Sequence, residues 1–527
     1  MVKIIPFYTN AYLECMRSNR KVVWIVTAIA GIIVLGWWLF QQTGQGENQL
    51  SANAGHAAHS QGKSAAVRYC QSCHLLPEPE LLDKKTWTTF LPEMGLYLGI
   101  HSAGVAAIEA ADKDFYPEHP VVTEQEWQEI LSYYTTSAPS ALPELPHPLP
   151  EAVTGFNLLP PPDFLFRPNV MASLVKIDNT VSPARLFVFD AFSNQLFLFG
   201  QEGLLDSLKV NGIVVDLQGA GNHWYACSIG DYLQMGPDKD KKGSIIPISL
   251  SPKGKLQQHA PLIKDLARPV RIVVTAANKD GQPDFLVCEF GKLTGSLTLL
   301  ESNEKSWRKK AIRPLPGAVT AFFEKNPATG REDIWALFAQ GDECIIHFEN
   351  RGDGTYDEHK VLRFPPSYGS SSFSLTDLDG DGNKDILYTC GDNGDATRIY
   401  KPYHGIYVFR QEAPDRFAEK FFYPLNGAYK AIAGDFRQKG RTDIAAVGYF
   451  TDPSHPADWF VYLNHLGNLG YSANAAPDGF NLEAALTMDS GDFNGDGQPD
   501  LLIGNAFLKN DPRQSAPLFG LMESIAR

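Results

Sequence analysis

Residues 374–390 read SLTDLDGDGNKDILYTC. An apolar strand leads into a loop of alternating acids and glycines, and a second apolar strand follows that loop. After another loop, residues 405–409 read GIYVF and are predicted to form a third strand. Strands joined by polar, glycine-containing loops in this way indicate an all-β repeat unit.

The third strand of this unit recurs along the chain. Seven copies begin at intervals of 49 to 61 residues, at Gln195, Ser244, Gly295, Cys344, Gly405, Trp459 and Ala516. A period of about 50 residues with about four strands per unit is typical of propeller blades. We therefore expect an all-β, seven-bladed propeller over residues 163–527. The last copy leaves no room for a fourth strand, so residues 164–167 (FLFR) are predicted to supply that strand and close the ring.

The loops between the first and second strands of blades five and seven carry oxygen ligands at alternate positions. Residues 377–385 read DLDGDGNKD, and residues 492–500 read DFNGDGQPD. Carboxylate and amide oxygens, with glycines at the tight turn, suit Ca²⁺. The predicted ligands of two Ca²⁺ sites are Asp377, Asp379, Asp381, Asp385, Asp492, Asn494, Asp496 and Asp500. An EF-hand begins similarly but needs a bidentate acid at its twelfth position, which here is Tyr388 or Ile503.

These loops resemble the FG-GAP/VCBS repeats of integrin-type propellers, and the resemblance implies calcium bound within the propeller. Two further copies depart from the pattern. In blade three, the loop at residues 276–284 lacks the first acid. In blade six, Arg437 and Lys439 occupy ligand positions ahead of Asp443, so a salt bridge is predicted to replace the metal. The alternative for every copy is an Asp/Gly turn without metal.

A long apolar segment lies near the start of the sequence. Residues 22–40 contain nineteen residues without a charge, which is enough to cross a hydrocarbon core of ~30 Å as a helix. Arg17, Arg20 and Lys21 precede the segment. The positive-inside rule therefore predicts cytoplasmic residues 1–21, a transmembrane helix at 22–40 and export of the remainder. The alternative is a cleaved signal peptide, although no clear cleavage site follows.

A second motif comes after a polar linker at residues 41–62. Cys70, Cys73 and His74 form C-x-x-C-H, in which two thiols can bond the vinyl groups of a haem and the histidine can ligate its iron. The alternatives are a thioredoxin-like redox pair and half of a zinc site. A redox pair needs a βαβ context and a zinc site needs a second ligand pair, and the sequence shows neither. We therefore predict one covalent haem c.

The residues around this motif, 63–138, are predicted to form a small all-α domain. Thr123 and Glu126 form a capping box at the start of a helix. Four apolar residues then fall on one helical face, namely Trp127, Ile130, Leu131 and Tyr134. The segment resembles the class I cytochrome c fold, in which an aromatic C-terminal helix packs on the N-terminal one.

This resemblance also implies a sixth ligand to the iron. Met94 is the only methionine in the predicted domain, and a Met/His pair is usual in electron-transfer cytochromes. His101 and His119 are competing ligands, and Met94 could instead be a core residue.

Three further features of the sequence concern the domain boundary and the possible partners. Residues 139–162 are rich in proline, which predicts a stiff spacer between the helical domain and the propeller. The polar and aromatic loop at residues 391–404 is expected on the same face as Arg167 and Arg268, as a candidate mouth for a small-molecule or glycan ligand. Surface loops without a ligand are the alternative. The net charge of -14 argues against nucleic acid as a partner.

As a whole, the sequence resembles exported bacterial proteins that fuse a cytochrome c to a VCBS/FG-GAP propeller. The resemblance implies electron transfer with a redox partner in or near the bacterial inner membrane, with the haem and the propeller in the periplasm. Alternatively, the propeller is a dehydrogenase that feeds the haem, or a ligand-binding or adhesion module with a haem sensor. Quinoprotein propellers carry periodic tryptophans, and the nine tryptophans here show no such period. No catalytic residue is assigned.

Overall fold

The computed structural model describes residues 59–145, 150–231, 240–276, 281–303, 306–392, 397, 399–451, 458–479, 482–508 and 513–525. The predicted cytoplasmic residues 1–21, the transmembrane helix 22–40 and most of the linker 41–62 lie outside this part. Within the described part, no helix has the length and apolar character needed to span a membrane. Two compact units are present, residues 59–65 with 124–133 and residues 66–123 with 134–525.

The first unit is a pair of closely packed helices. Helix α1 covers residues 59–69, and helix α4 (Glu124–Ser137) begins directly after Thr123. A Cβ at Gly62 would lie 2.3 Å from the carbonyl oxygen of Glu129 and 2.7 Å from Cβ of Tyr133, so glycine is required at this crossing. The ring of His59 packs edge-on against Tyr133 at 5.1 Å. An aromatic C-terminal helix therefore packs on the helix that precedes the cysteines.

The remaining helices belong to the second unit. They are α2 (Lys84–Leu96) and α3 (Ala106–Ala111), with 3-10 turns at Cys70–Ser72, Pro79–Leu81, Ala103–Val105 and Lys113–Phe115. Asp83 caps α2, because its carboxylate accepts hydrogen bonds from the amide and hydroxyl groups of Thr86. Trp87 donates through Nε1 to the carbonyl of Pro79 and packs on the ring of Tyr134 at 4.3 Å. These contacts form a small aromatic core beside the first residues of α2.

The rest of the second unit is a set of antiparallel sheets. Two short strands come first, β1 (Phe156–Leu159) and β2 (Phe166–Arg167). Blade one contains β3 (Asn169–Asp178), β4 (Arg185–Asp190), β5 (Gln195–Gly200) and β6 (Gly203–Lys209). Blade two contains β7 (Val214–Ala220), β8 (His223–Ser228), β9 (Gly243–Leu250) and a divided outer strand, β10 (Leu256–Gln258) and β11 (Ile263–Leu266).

The next three blades have four strands each. Blade three contains β12 (Pro269–Thr275), β13 (Asp284–Glu289), β14 (Ser296–Asn303) and β15 (Ser306–Arg313). Blade four contains β16 (Ala318–Lys325), β17 (Glu332–Phe338), β18 (Cys344–Asn350) and β19 (Tyr356–Arg363). Blade five contains β20 (Ser370–Thr376), β21 (Asp385–Cys390), β22 (Gly405–Ala413) and β23 (Arg416–Pro424).

The last two blades complete the ring. Blade six contains β24 (Ala428–Gly434), β25 (Asp443–Gly448), β26 (Phe460–Gly467) and β27 (Gly470–Asn474). Blade seven contains β28 (Ala485–Gly491), β29 (Asp500–Leu508) and β31 (Phe519–Ser524), and the short β30 (Ala516–Pro517) precedes β31. The first strands contact one another around a closed circle, in the order β3, β7, β12, β16, β20, β24, β28 and back to β3. The predicted seven-bladed propeller is therefore confirmed.

The strand that closes the ring differs from the predicted one. β1 pairs antiparallel with β31, so that Phe156 lies opposite Ser524 and Leu159 lies opposite Leu521. The predicted segment 164–167 contributes only β2, which pairs with β30. The propeller therefore begins inside the proline-rich segment 139–162, because the chain first completes blade seven and only then enters blade one.

Each first strand carries a β-bulge at an equivalent place, where it pairs with the second strand. The residues directly after the seven bulges are Leu174, Asp216, Arg271, Thr320, Ser372, Lys430 and Thr487. A bulge bends and twists its strand, so its repetition fits seven inner strands arranged around one axis. The seven residues occupy equivalent positions on that circle.

Candidate functional site

The predicted haem attachment residues lie in one turn. After α1, the 3-10 turn Cys70–Ser72 leads directly to Cys73 and His74. Cys73 is exposed and Cys70 is partly buried. Burial, followed by the neighbouring Cys73, raises the pKa of Cys70 to about 11, so this thiol is protonated at neutral pH. Nδ1 of His74 lies 2.9 Å from the carbonyl oxygen of Leu75. If Nδ1 donates to that carbonyl, Nε2 keeps the lone pair that a metal requires.

Exposed large side chains lie on α1 just ahead of the motif and on the last turn of α2. Val67 is 42% exposed, Met94 on α2 is 39% exposed and Tyr97 is 43% exposed. Partial burial raises the pKa of Tyr97, and the charges of Glu93, Asp112 and Cys73 add to that shift. A porphyrin ring is large and mostly apolar, so it can pack against exposed apolar side chains such as these. Two thiols, one imidazole and one thioether also form a donor set that matches haem c. The residues present therefore fit this group.

The competing ligands for the sixth position are also described. His101 and His119 are both exposed. Neither geometry nor burial separates them from Met94, so the choice of Met94 stays a prediction.

The helical part of the second unit contacts blade three. Lys292, in the loop between β13 and β14, forms an ion pair with the buried Asp112. The adjacent Leu293 packs against a cluster of three buried side chains, Leu96, Val105 and Tyr116. The side-chain amide of Gln340 donates to the carbonyl of Lys292 at 2.5 Å, which ties this loop to blade four. Nothing in the sequence pattern around Lys292 indicated this contact.

The helical part also contacts the long loop of blade five. The hydroxyl of Tyr403 donates to the carbonyl of Leu81 at 2.8 Å, and the amide of Leu145 donates to the hydroxyl of Tyr400 at 3.3 Å. The ring of Tyr368 stacks on that of Tyr403 at 4.8 Å. The predicted mouth loop is therefore a contact surface for the chain's own helical segment. The expected separation of that segment from the propeller by residues 139–162 is wrong for this unit.

The two arginines predicted at the mouth have different surroundings. Arg167 pairs with Asp190 at 3.1 Å. Burial lowers the pKa of Arg268, and the charges of Tyr429 and Asp392 oppose that shift. Asp392 belongs to the loop at residues 391–404, so the start of that loop lies close enough to Arg268 for their charges to interact; the predicted mouth stays a prediction.

The acidic loop of blade five brings three of its four predicted ligands together. One oxygen from each of Asp377, Asp379 and Asp385 lies within 4.8 Å of the others. Asp377 also accepts the amides of Gly380 and Gly382, and both glycines have positive φ, of 80° and 88°. The backbone of the loop therefore folds around the carboxylate of its first aspartate.

An arginine that sequence analysis missed neutralises this loop. Arg410, on β22, donates through Nε to Asp379 at 2.7 Å and through Nη2 to Asp381 at 2.9 Å. The pKa of Arg410 is raised by these hydrogen bonds. The adjacent Gln411 donates its amide to Asp385 at 3.0 Å. The third strand therefore delivers a positive charge to a loop that its own residues make strongly negative.

The acidic loop of blade seven has the same backbone hydrogen bonds as the loop of blade five, but the charged residue beside it on the third strand is negative instead of positive. Asp492 accepts the amides of Gly495 and Gly497, as Asp377 does in blade five. Asp500 accepts the amide of Ser524 at 2.9 Å, as Asp385 accepts that of Gln411. The residue before Ser524 is Glu523, whose pKa is raised by burial and then by the charge of Asp496. A carboxylate therefore stands in blade seven at the position that Arg410 takes in blade five.

The loop of blade six is closed by its own arginine. Arg437 pairs with Asp443 through Nη2 at 2.7 Å, with both side chains buried. The predicted salt bridge within this loop is therefore present. Lys439 does not join it through its side chain; its amide donates to Asp435 at 2.8 Å. The loop of blade three lies partly outside the described residues, which resume at residue 281.

Strands, ring and acidic loops together define a β-propeller in which several blades carry Asp/Gly loops between their first two strands. Comparison with protein families finds FG-GAP repeats in two stretches of it: an FG-GAP-like repeat matches residues 328–388, and an FG-GAP repeat matches residues 485–515. No curated relative matches the sequence.

Solved structures with a related arrangement share little sequence with this chain. Virginiamycin B lyase from Staphylococcus aureus is 11% identical with a TM-score of 0.42, over 70% of this chain and 99% of that one. BBS1N in complex with ARL6DN is 7% identical with a TM-score of 0.42, over 69% of this chain and 99% of that one. The Dos1 propeller is 10% identical with a TM-score of 0.38, over 65% and 76%.

Proposed function

We propose that this chain is an electron-transfer protein that carries one covalent haem beside its FG-GAP propeller. The observation that carries the proposal is the turn at Cys70, Cys73 and His74, where two thiols and an imidazole with Nε2 available follow one another within five residues. A haem held there supplies one-electron chemistry at its iron. The thiols of Cys70 and Cys73 would attach the haem covalently, and the imidazole of His74 would ligate its iron. Met94 is proposed as the ligand on the other side.

The chain's own residues have three tasks in this proposal. The carbonyl of Leu75 orients the imidazole of His74. Val67 and Tyr97 offer apolar surface that excludes water from the ring. The contacts of Lys292 and Tyr403 with the helical segment fix that segment to the propeller, which supports a role for the propeller in presenting the haem to a redox partner.

The location of this reaction is part of the same proposal. Residues 22–40 would hold the chain in the bacterial inner membrane with the haem and the propeller in the periplasm. The partner would then be a redox protein in or near that membrane. Separation of native cells into membrane and soluble periplasmic fractions tests the anchor, because a mature chain that is cleaved and soluble contradicts it.

We further propose that the propeller binds calcium, with blade seven as the stronger site. Asp492, Asn494, Asp496 and Asp500 would provide the ligands there, next to the carboxylate of Glu523. Blade five has a comparable set in Asp377, Asp379, Asp381 and Asp385. A calcium ion in blade five would have to compete with Arg410, which donates hydrogen bonds to two of those side chains.

The haem proposal is tested by covalent attachment. The full-length chain, produced with a haem-attachment system, should keep haem on a denaturing gel and show a c-type spectrum after reduction. Cys73→Ala should lose one of the two attachment bonds and shift that spectrum. Cys288→Ala is the matched control, because Cys288 is fully buried in the propeller and should leave the haem unchanged. An unaltered covalent spectrum in Cys73→Ala would contradict the assignment.

A further inference from the structure

The inner circle of the propeller carries a group of charges that neither the haem nor the calcium loops use. Asp216, Arg271 and Lys430 occupy equivalent positions directly after the bulges of blades two, three and six. Two residues further along their strands, Lys176 in blade one and Asp489 in blade seven also occupy equivalent positions. Five charged side chains from five blades therefore stand at two adjacent levels of one circle.

These charges act on one another across the circle. Burial lowers the pKa of Lys430, while the charges of Asp489 and Asp216 oppose that shift and those of Arg271 and Lys176 add to it. Arg271 keeps 39% of its side chain accessible although it lies on an inner strand. The space enclosed by the seven first strands, here called the axial channel, therefore holds these five groups, and water reaches part of the Arg271 side chain.

The two carboxylates are already committed to neighbouring groups. Asp216 accepts the backbone amides of Leu217 and Ile272, at 3.0 Å each, and pairs with Nη1 of Arg271 at 3.4 Å. Asp489 accepts the amide of Ile177 at 2.8 Å. Each carboxylate therefore serves as a clamp from one blade to the next.

The three cations, Lys176, Arg271 and Lys430, have fewer hydrogen-bond and ion-pair partners than the carboxylates. Nε of Arg271 is buried without a hydrogen-bond partner, although its Nη1 pairs with Asp216. Within the described residues, the ammonium groups of Lys176 and Lys430 form no ion pair within 4.0 Å, whereas Lys292 and Lys384 elsewhere in the propeller do. Three cations against two anions leave an excess positive charge in the channel of a chain whose net charge is -14. A buried, unpaired cation is costly and attracts a counter-charge.

We propose that the axial channel binds a small oxyanion, through a carboxylate or phosphate group, between Lys176, Arg271 and Lys430. The guanidinium of Arg271 can donate to two oxygens of such a group, and the two ammonium groups supply point charges from other blades. Hydroxyl groups stand at three further equivalent positions, on Thr320, Ser372 and Thr487. A glycan without charge would leave the cations unpaired, so the occupant is an anionic small molecule.

The test uses the full-length chain with inorganic phosphate and succinate as separate probes, at ionic strength held constant with potassium chloride. Isothermal titration should give saturable binding of one or both probes. Phosphate alone would assign a phosphate ligand, succinate alone a carboxylate ligand, and both a shared oxyanion site. Lys430→Met and Lys176→Met should each weaken that binding about tenfold or more. Asp489→Asn should tighten it, because the amide oxygen can still accept from Ile177 while one negative charge is removed.

Controls separate this site from general charge effects and from misfolding. Lys309→Met removes a cation from the exposed outer strand β15 and should bind the probes as the unaltered chain does. Lys430→Met should raise the melting temperature without a probe, because it removes an unpaired cation from the channel. Absence of binding by both probes, or equal affinity in Lys430→Met and the unaltered chain, would overturn the proposal.

Discussion

Calcium should stabilise the propeller mainly through blade seven, and the neighbours on the third strand decide this. In blade seven, Asp496 and Asp500 have a further carboxylate beside them in Glu523. In blade five, Arg410 already neutralises the loop. Removal of Ca²⁺ should therefore leave mutual repulsion in blade seven and very little in blade five.

The size of the effect follows from mass action. Binding to the folded state alone adds about 2.7 kcal/mol for one site at a hundredfold excess of Ca²⁺ over Kd. An unfolding entropy of roughly 2.1 cal/mol/K per residue, over a propeller of about 370 residues, gives roughly 0.8 kcal/mol/K. Chelation should therefore lower the melting temperature by about 3 to 4 °C, and added Ca²⁺ should restore it.

The effect should also depend on pH through Asp500. Burial raises the pKa of Asp500 from 3.8 to about 6, so its folded-state pKa lies above the unfolded one. The calcium-free propeller therefore has the full contribution of protonated Asp500 below pH 3.8 and loses it as the pH rises through about 6. A bound cation favours the carboxylate and reverses this loss. The gain from Ca²⁺ should be larger at pH 7.5 than at pH 5.

The assay is calorimetric melting in chelator and in excess Ca²⁺, with four variants. Asp496→Ala and Glu523→Gln should both reduce the rise in melting temperature that Ca²⁺ causes. Arg410→Gln should increase it, because the loop of blade five then lacks its internal cation. Asp443→Ala in blade six is unsuitable for comparison of absolute stability, because it leaves Arg437 buried without its carboxylate, but its response to Ca²⁺ should match that of the unaltered chain. A response that survives Asp496→Ala undiminished, or that falls in Arg410→Gln, would refute the reasoning.

Three further outcomes are expected. Met94→Ala should abolish the long-wavelength charge-transfer band of a methionine-ligated ferric haem; if the unaltered protein lacks that band, His101 or His119 becomes the expected ligand. Burial opposes a charged His347, but the carboxylates of Asp415 at 2.7 Å and Asp333 at 2.9 Å outweigh it and raise the pKa of His347. Its stabilising effect should be complete below about pH 6.5 and lost as the pH rises through the raised value, so denaturant unfolding should show a larger cost of His347→Gln at pH 6 than at pH 9; an equal cost at both would contradict this. Burial raises the pKa of Glu343 to about 8, so the unaltered propeller should lose stability as the pH rises from about 4.5 to 8, whereas Glu343→Gln should melt at a more constant temperature across that range; parallel profiles would count against a neutral Glu343.

The sequence predicted the number of blades because the third strands are buried and apolar. A strand such as Cys344–Asn350 lies between two others in its sheet, and its first five residues, CIIHF, are buried and mostly apolar, so its period is visible. The closing strand was misplaced for the opposite reason. Phe156–Leu159 is only four residues long and lies among prolines, and the neighbouring residues 164–167 read more like a strand.

The acidic loops were predictable as a local pattern, but their charge balance was not. Arg410 and Glu523 take the same place relative to the loops only because the third strand folds back beside the second. Neither residue is adjacent in sequence to the loop that it affects. In blade six, Arg437 lies inside the loop itself, and there the ion pair with Asp443 could be predicted. The contact of Lys292 with Asp112 was likewise invisible, because it joins segments that are far apart in the chain.

Because β1 pairs with β31, the strand that closes the ring is also the one through which the propeller is connected to the residues ahead of it. Tension transmitted along the polypeptide from the N-terminal side is first met by the contacts of Leu81 and Asp112 with the propeller, and after their release it reaches residues 156–159 before it reaches blade one. Four paired positions then resist that tension, and their release would open blade seven at its outer edge while the inner circle stays intact. The β1–β31 pairing therefore both closes the ring and bears any load from the N-terminal side. A pull on β1 would loosen blade seven, which is the blade proposed to bind calcium most strongly.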